Sequence, residues 1–386
     1  MKVINILPSN YIGGPQKQVL SVSKALKDYS VETIIICPKG AGSFAELAKK
    51  EGIKVYQVNL MIPKYFDSIK SIMANLKWFL IFPISVFEIM NVIKKEDVDI
   101  IHIQGLLNLP GAFAAKIAHK KIVWHLIGSL YPKTILLLIM PLIILFSDYM
   151  IFIADKLSRY YLRKKYKKID NYQIIYNGID LKRFKPQNNS SLREELGISD
   201  EFHLIGCVGN INPAKGYEYL LEALSLIKNQ KVICVIAGAK MDSQIEYYKM
   251  LKNYIIKHEL EEMVIFLGKR IDIPEIMNSL DIFVLPSVTE GTPLVILEAM
   301  AIGNTIIATD VGGITEQLED KCDGILIKPK QPYQLAKVID SMLNDKNLRN
   351  ILMENARISV NKFSIDKTVY SHLNIYNKLL KTTERN

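Results

Sequence analysis

Two carboxylates stand eight residues apart in Glu290-Gly-Thr-Pro-Leu-Val-Ile-Leu-Glu298, and the residues between them read as the start of a helix. Thr292 is a good N-cap, and Pro293 suits the first helical position, where a missing N–H is no loss. The backbone from Gly291 through Thr292, Pro293 and Leu294 to Val295 then turns orphan N–H groups and the positive helix end outward, which makes an anion site. Glu290 flanks that site. Glu298 lies about 7–8 Å past Pro293 along the axis, at roughly 1.5 Å per residue. A nucleotide-sugar spans such a distance, with its diphosphate at the helix end, its sugar by Glu290 and its ribose hydroxyls by Glu298. Two surface glutamates flanking a structural turn would give the same letters.

Lys215 follows a strand and a short loop, just before a helix. It is suited to a diphosphate and to the charge that develops on a leaving group; a solvated loop lysine is the alternative. Gly312-Gly313 follows another strand, with Glu316 on the next helix, and Gly13-Gly14 follows the first strand. Such pairs admit close backbone approach to a phosphate or acceptor, or merely serve tight turns. His125 ends the strand Lys121–Leu126, on the sheet edge where open α/β sheets bind ligands; a satisfied structural histidine is the competing reading. His102, at the end of an adjacent strand, reads as structural. Asn177 and Asp180 are turn formers.

The elements that must position these groups follow from alternation of short β-branched runs with longer helical patterns, the signature of parallel α/β sheets. The first half predicts strands at Lys2–Leu7, Val31–Cys37, Lys54–Val58, Val98–Ile103, Lys121–Leu126, Tyr149–Ile153 and Tyr172–Tyr176. The second predicts His203–Val208, Lys231–Ala237, Met263–Leu267, Asp281–Leu285, Thr305–Ala308 and Gly324–Ile327. Two doubly wound, Rossmann-like sheets result, with the break near Asp180–Gln187.

Several of these segments resemble those of retaining glycosyltransferases of family 4, which have the two-domain GT-B fold. Glu290 to Glu298 is similar to the family's E-x7-E segment. Asn177-Gly-Ile-Asp180, with Arg183-Phe184 and Pro186, resembles N-G-V-D-x-x-x-F-x-P. Val208-Gly-Asn-Ile-Asn-Pro-Ala-Lys-Gly216 resembles V-G-R-L-x-x-x-K-G, Gly312-Gly313-Ile-Thr-Glu316 matches G-G-x-x-E, and Phe363-Ser364 leads into a terminal helix. The resemblance implies that residues 1–180 form an acceptor-binding domain, read as membrane-facing from the charge and apolar stretches below, that 181–363 bind the nucleotide-sugar donor, and that 364–386 return as a helix to the first domain. It implies that Glu290 contacts the donor sugar, that Glu298 holds the ribose and that His125 faces the reacting centre. One departure matters: Asn210 stands where the family usually has Arg. Asn bonds phosphate or sugar but carries no charge, so Lys269 or Arg270 is expected to substitute, or donor affinity or catalysis suffers.

At 386 residues with 49% hydrophobic side chains, the chain has material for two cores. Cys37, Cys207, Cys234 and Cys322 show no paired spacing, which excludes a disulfide framework and a zinc finger and suggests a reducing compartment. The opening Met1–Ser9 is too short and too strand-like for a signal peptide. Of the net charge of +10, residues 1–180 carry +11, with 24 Lys and Arg against 13 Asp and Glu; the remaining 206 residues carry 25 against 26. An anionic partner for the first half is implied. Nucleic acid is not expected, because no aromatic-rich sheet, finger or basic helix–turn pattern accompanies the charge. An anionic membrane surface fits better, since the same half holds the apolar stretches 72–93 and 135–146. A spanning helix needs about twenty apolar residues, so a buried helix is the default for both, with interfacial dipping as the alternative. The basic, aromatic run Lys156–Lys168 favours dipping, with its tyrosines at the headgroups.

The reading is a retaining glycosyltransferase that moves a sugar from a nucleotide-sugar to a glycan or polyprenyl-linked acceptor in cell-surface polysaccharide or capsule assembly. It is expected in the cytoplasm, peripheral on the inner face of the cell membrane. No Asp-x-Asp metal motif is recognised, so transfer is expected to need neither metal nor cofactor. The rivals are a catalytically impaired sugar-nucleotide-binding or scaffolding subunit and a nucleotide-sugar epimerase on the same fold.

Overall fold

The computed structural model describes residues 1–63, 69–128, 131–162, 169–187, 191–227 and 231–383. The chain divides into two compact units, Met1–Gly178 with Ile365–Asn386, and Ile179–Ser364. Each is built on one parallel sheet.

In the first unit the strands are β1 (Lys2–Ile6), β2 (Glu32–Pro38), β3 (Lys54–Val58), β4 (Ile100–Gln104), β5 (Lys121–Leu126), β6 (Tyr149–Phe152) and β7 (Tyr172–Ile174). They pair in the order β3-β2-β1-β4-β5-β6-β7, every neighbour parallel. The helices are α1 (Gly14–Leu26), α2 (Phe44–Lys50), α3 (Ile69–Glu96), α4 (Leu109–Ile117), α5 (Lys133–Phe146) and α6 (Asp155–Leu162).

The second unit holds β8 (His203–Val208), β9 (Val232–Ala237), β10 (Val264–Gly268), β11 (Ile282–Leu285), β12 (Thr305–Thr309) and β13 (Ile325–Ile327). Its sheet order is β10-β9-β8-β11-β12-β13. Its helices are α7 (Ser191–Leu196), α8 (Tyr217–Leu226), α9 (Ile245–Lys257), α10 (Ile273–Asn278), α11 (Leu294–Ile302), α12 (Ile314–Gln317), α13 (Pro332–Asn344) and α14 (Lys346–Ser359). Last comes α15 (Ile365–Thr383), which belongs to the first unit. All thirteen expected strands are present, with ends moved by at most two residues. Strands covered on both faces need apolar residues at every position, which is why they read as unbroken β-branched runs.

Pleating splits the first sheet between two cores. Ile4, Ile101, Ile103 and Trp124 face α3, α4 and α5. Val3, Ile100, Val123 and Ile151 face the other way, onto Val22 and Leu26 of α1 and Val369, Leu373 and Tyr376 of α15. Gly178 lets α15 begin against the chain: a Cβ there would lie 2.6 Å from Thr368 Oγ1 and 2.9 Å from Ile365 Cα. Thr368 Oγ1 in turn donates to Tyr176 O at 3.2 Å.

The apolar stretches 72–93 and 135–146 are helical but not buried as expected by default. The C-terminal half of α3 is enclosed through Val86, Ile89, Val92 and Ile93, and before it Asn75 is buried and Trp78 and Phe82 pack on the core. Its other face exposes Met73, Leu76, Phe79, Leu80, Ile84 and Phe87, a stripe at helical spacing. On α5, Leu136, Met140 and Ile143 are buried while Leu137, Leu138 and Leu145 are exposed. Edge-to-face rings run from Phe82 through Phe113 to Phe146, so both helices flank α4 on one face of the sheet. Among the described residues α3 alone is long and apolar enough to cross a membrane, and only 22% of its most apolar window is buried. The run Lys156–Lys168 is described only as far as Leu162; residues 163–168 lie outside the described residues. Of its two described tyrosines, one is turned inward and the other is half-buried. Tyr161 is buried against Phe152, and Tyr160 donates to Tyr131 O at 2.9 Å.

Candidate functional site

The site grows from the C-terminal ends of β8 and β11, neighbours at the point where the strand order of the second sheet reverses. Such switch points leave a crevice above the sheet. After β8, Asn212 caps a short 3-10 turn, Pro213–Lys215, by accepting from Ala214 N at 3.0 Å. Gly216 follows in the left-handed region (φ 63°), where a Cβ would lie 2.3 Å from Pro286 O. That close approach seats the turn against the end of β11, and Val288 N donates to Ala214 O at 2.8 Å.

Lys215 and Glu290 meet there. Lys215 Nζ lies 2.6 Å from Glu290 Oε1, with side chains 18% and 12% exposed, and Ser287 Oγ donates to the same oxygen at 2.7 Å. Two of the three groups expected to be catalytic are thus a single ion pair, held by Ser287. Neighbouring backbone is fixed as tightly. Thr309 Oγ1 donates to Ser287 O at 2.6 Å, and Gly313 N donates to Gly291 O at 2.6 Å. Gly312 (φ 58°) would place a Cβ 2.1 Å from Glu290 O. The close approach that Gly312-Gly313 permits is therefore to the Glu290–Gly291 turn of the chain itself. Gln317 Nε2, from α12, donates to Pro293 O at 3.2 Å.

Helix α11 begins at Leu294 and not at Pro293; Pro293 occupies the N-cap position in an extended conformation (φ −69°, ψ 126°), and no side chain caps it. Thr292 is buried, one residue before that position. The amides of Leu294 and Val295 are therefore the first of the helix, and Gly303 ends it in the left-handed region. Glu298 lies within α11 and is buried.

Asn210 sits on an exposed loop whose preceding residue, Gly209, is pressed against Gly238 at the end of β9. Of the two cations considered in place of the missing Arg, Arg270 is already committed. Its guanidinium forks onto Glu195 at 2.6 and 2.8 Å and bonds Asp272 Oδ1 at 2.8 Å from Nε. These partners hold the Arg270 pKa up and both carboxyls below their usual range. Lys269 is exposed beside it at the end of the edge strand β10.

In the first unit Gly13 precedes α1 as its N-cap and Gly14 opens the helix, at the C-terminal side of β1. Asp180 forms the expected turn, its Oδ1 accepting from Lys182 N at 2.9 Å and Arg183 N at 3.2 Å. His125 is not where the resemblance implied. Its ring faces α15, 5.3 Å from the ring of His102 and 5.9 Å from that of His372, and neither nitrogen reaches solvent or a partner. Pleating put it there, on the same face as Val123. Contrary to the expectation, the chain does hold one Asp-x-Asp, Asp97-Val98-Asp99, but it lies at the opposite end of the sheet, where Asp99 Oδ2 accepts from Lys2 N at 2.8 Å. The contribution of Ser287 was missed; a small polar residue three before Glu290 was the available signal.

Fold and sequence together define the class. Residues 12–183 match the family model for Glycosyltransferase Family 4, and residues 188–359 match that for Glycosyl transferases group 1. The chain belongs to these GT-B glycosyltransferases. An uncharacterized glycosyltransferase of Methanocaldococcus jannaschii is 30% identical over 215 residues, 54% of each chain, so this chain spans about half the length of that relative. A UDP-Gal:alpha-D-GlcNAc-diphosphoundecaprenol alpha-1,3-galactosyltransferase of Escherichia coli is 28% identical over 76% of this chain and 78% of its own. An N,N'-diacetylbacillosaminyl-diphospho-undecaprenol alpha-1,3-N-acetylgalactosaminyltransferase of Campylobacter jejuni is 24% identical over 94% and 95%. Among solved structures, Anabaena HepE in complex with UDP superposes with a TM-score of 0.80 at 24% identity, over the whole of both chains.

Proposed function

We propose that this chain is a retaining, metal-independent glycosyltransferase that moves a sugar from a nucleotide-sugar to a polyprenyl-linked glycan acceptor, in cell-surface polysaccharide assembly. The observation that carries the reading is the Lys215–Glu290 pair beside the first amides of α11, at the switch point of the second sheet. A diphosphate there draws on the helix end and the ammonium together. Glu290 orients the donor sugar and Glu298 the ribose. Catalysis then rests on positioning and on stabilising the departing diphosphate, with no side chain placed as nucleophile. UDP-sugars are the first candidates, and diphosphoundecaprenol the first acceptor carrier, because the Escherichia coli relative is named for both.

The acceptor reading is supported by the outward apolar stripes of α3 and α5, which belong to the unit carrying the excess positive charge. Together they suit an interfacial seat on anionic lipid at the inner face of the membrane. A second reading, a subunit that binds sugar nucleotide but transfers nothing, is favoured by Asn210 and by the engagement of Arg270.

The deciding experiment is calorimetry of UDP-, GDP- and ADP-sugars against wild type and Glu298→Ala, followed by transfer to a diphosphoundecaprenol-linked sugar in EDTA. Selective binding lost in the variant, and a product with the donor's anomeric configuration, supports the reading. Binding without transfer in wild type, with transfer gained in Asn210→Arg, supports the second. An inverted product, or a requirement for added metal while the thermal midpoint is unchanged by EDTA, overturns the first as stated.

A further inference from the structure

His102 from β4, His125 from β5 and His372 from α15 converge in the core of the first unit, each no more than 6% exposed. One nitrogen from each lies within 4.8 Å of the others. Their ring centroids are 5.3, 5.5 and 5.9 Å apart. Three imidazoles around one tetrahedral metal at about 2.0–2.1 Å would have centroids about 5.2 Å apart and ligating nitrogens about 3.4 Å apart, so the ring spacing suits an ion and the rings would turn inward to bind it. We propose that these three rings bind one divalent transition metal of the zinc class, clipping α15 to the sheet.

Two further observations support a ligand here. His372 Nδ1 lies 2.7 Å from Thr368 O, which fixes the proton on Nδ1 and leaves Nε2 as the lone-pair atom. His102 Nδ1 lies 2.6 Å from Tyr376 OH, which plays the same part when the phenol accepts. Outer partners of this kind set the tautomer and ring orientation of metal-bound histidines. Meanwhile His102 Nε2 and both nitrogens of His125 are buried with no partner among the described residues. Each unmet group costs about 1–3 kcal/mol, so a core carrying three is expected to hold something that satisfies them. Burial also keeps the rings neutral, His372 down to about 4, and neutral imidazole is the ligating form. Among the described residues no carboxylate or thiol joins the group, so the protein supplies three of a tetrahedral ion's four ligands.

The test uses the tag-free full chain, stripped with chelator and titrated with Co(II) and then Zn(II). One equivalent of Co(II) with the visible bands of a tetrahedral site, displaced by Zn(II), is expected. His125→Ala and His372→Gln lose the bands, and Tyr376→Phe keeps them with affinity about 10–100-fold weaker. The thermal midpoint of wild type rises with Zn(II), and that of His125→Ala does not. Wild type that binds no equivalent overturns the proposal without recourse to any variant, as do bands that survive both ligand substitutions.

Discussion

At Lys215 the ammonium already has a counter-charge. It is shared with Ser287 on one oxygen of Glu290 and only 18% exposed, so removing it leaves a carboxylate largely out of water. Lys215→Ala is expected to lower kcat by about 10²–10³-fold, the usual loss for one preorganised donor to a developing anion. It should also destabilise the second unit by a few kcal/mol, toward the lower end of the roughly 3–5 kcal/mol for a broken buried pair. Single-turnover kinetics and urea melts separate the two effects. Gly312→Ala forces a side chain into a left-handed position 2.1 Å from Glu290 O. A loss of about 2 kcal/mol or more is expected, together with weaker donor binding, because the turn carrying Glu290 must shift. Unchanged melting and donor affinity in that variant would remove the glycine from the architecture of the site. The types and spacing of Lys215, Glu290 and Glu298 were legible from sequence; that the first two form one pair was not, because the loops after two separate strands had to be brought together first.

At the scale of the element, the strands were the most legible part of the chain, since β-branched runs covered on both faces leave little choice. What a strand does not announce is which helix covers each face. His125 was placed at the ligand edge of its strand, yet the period of two turns its ring toward Val123's side, and that side is roofed by a helix from the far end of the chain. The outward face of α3 was hidden for a related reason, as hydropathy reports how apolar a helix is and not whether a neighbour covers it. That face now makes a prediction. Phe79→Glu combined with Leu80→Glu should weaken sedimentation with phosphatidylglycerol vesicles by about 100-fold or more, from roughly 1.5–3 kcal/mol for each of the two apolar side chains withdrawn. The circular dichroism should be unchanged, since both residues are exposed. Equal sedimentation of the variant and the wild type would take lipid contact away from α3.

The molecule as a whole distributes its labour unevenly. All of the excess positive charge falls in residues 1–180, alongside the exposed apolar helices, while the near-neutral remainder carries the proposed donor residues. Raising the salt should therefore weaken vesicle binding strongly, as screening shortens the reach of surface charge to about 8 Å at physiological ionic strength. Donor binding, which rests on a largely enclosed pair, should change little. Calorimetry and sedimentation at two salt concentrations check both halves of that statement.

The return of α15 to the first sheet also fixes an order of birth. Val3, Ile100, Val123 and Ile151 are synthesised early, but the side chains of α15 that roof them, Val369, Leu373 and Tyr376, come after every residue of Ile179–Ser364. On the ribosome the later unit has all its parts first, and the earlier one waits half-covered, its sheet open to wrong partners. A chain stopped at Ser364 should therefore aggregate through its opening residues, although nothing in them has changed.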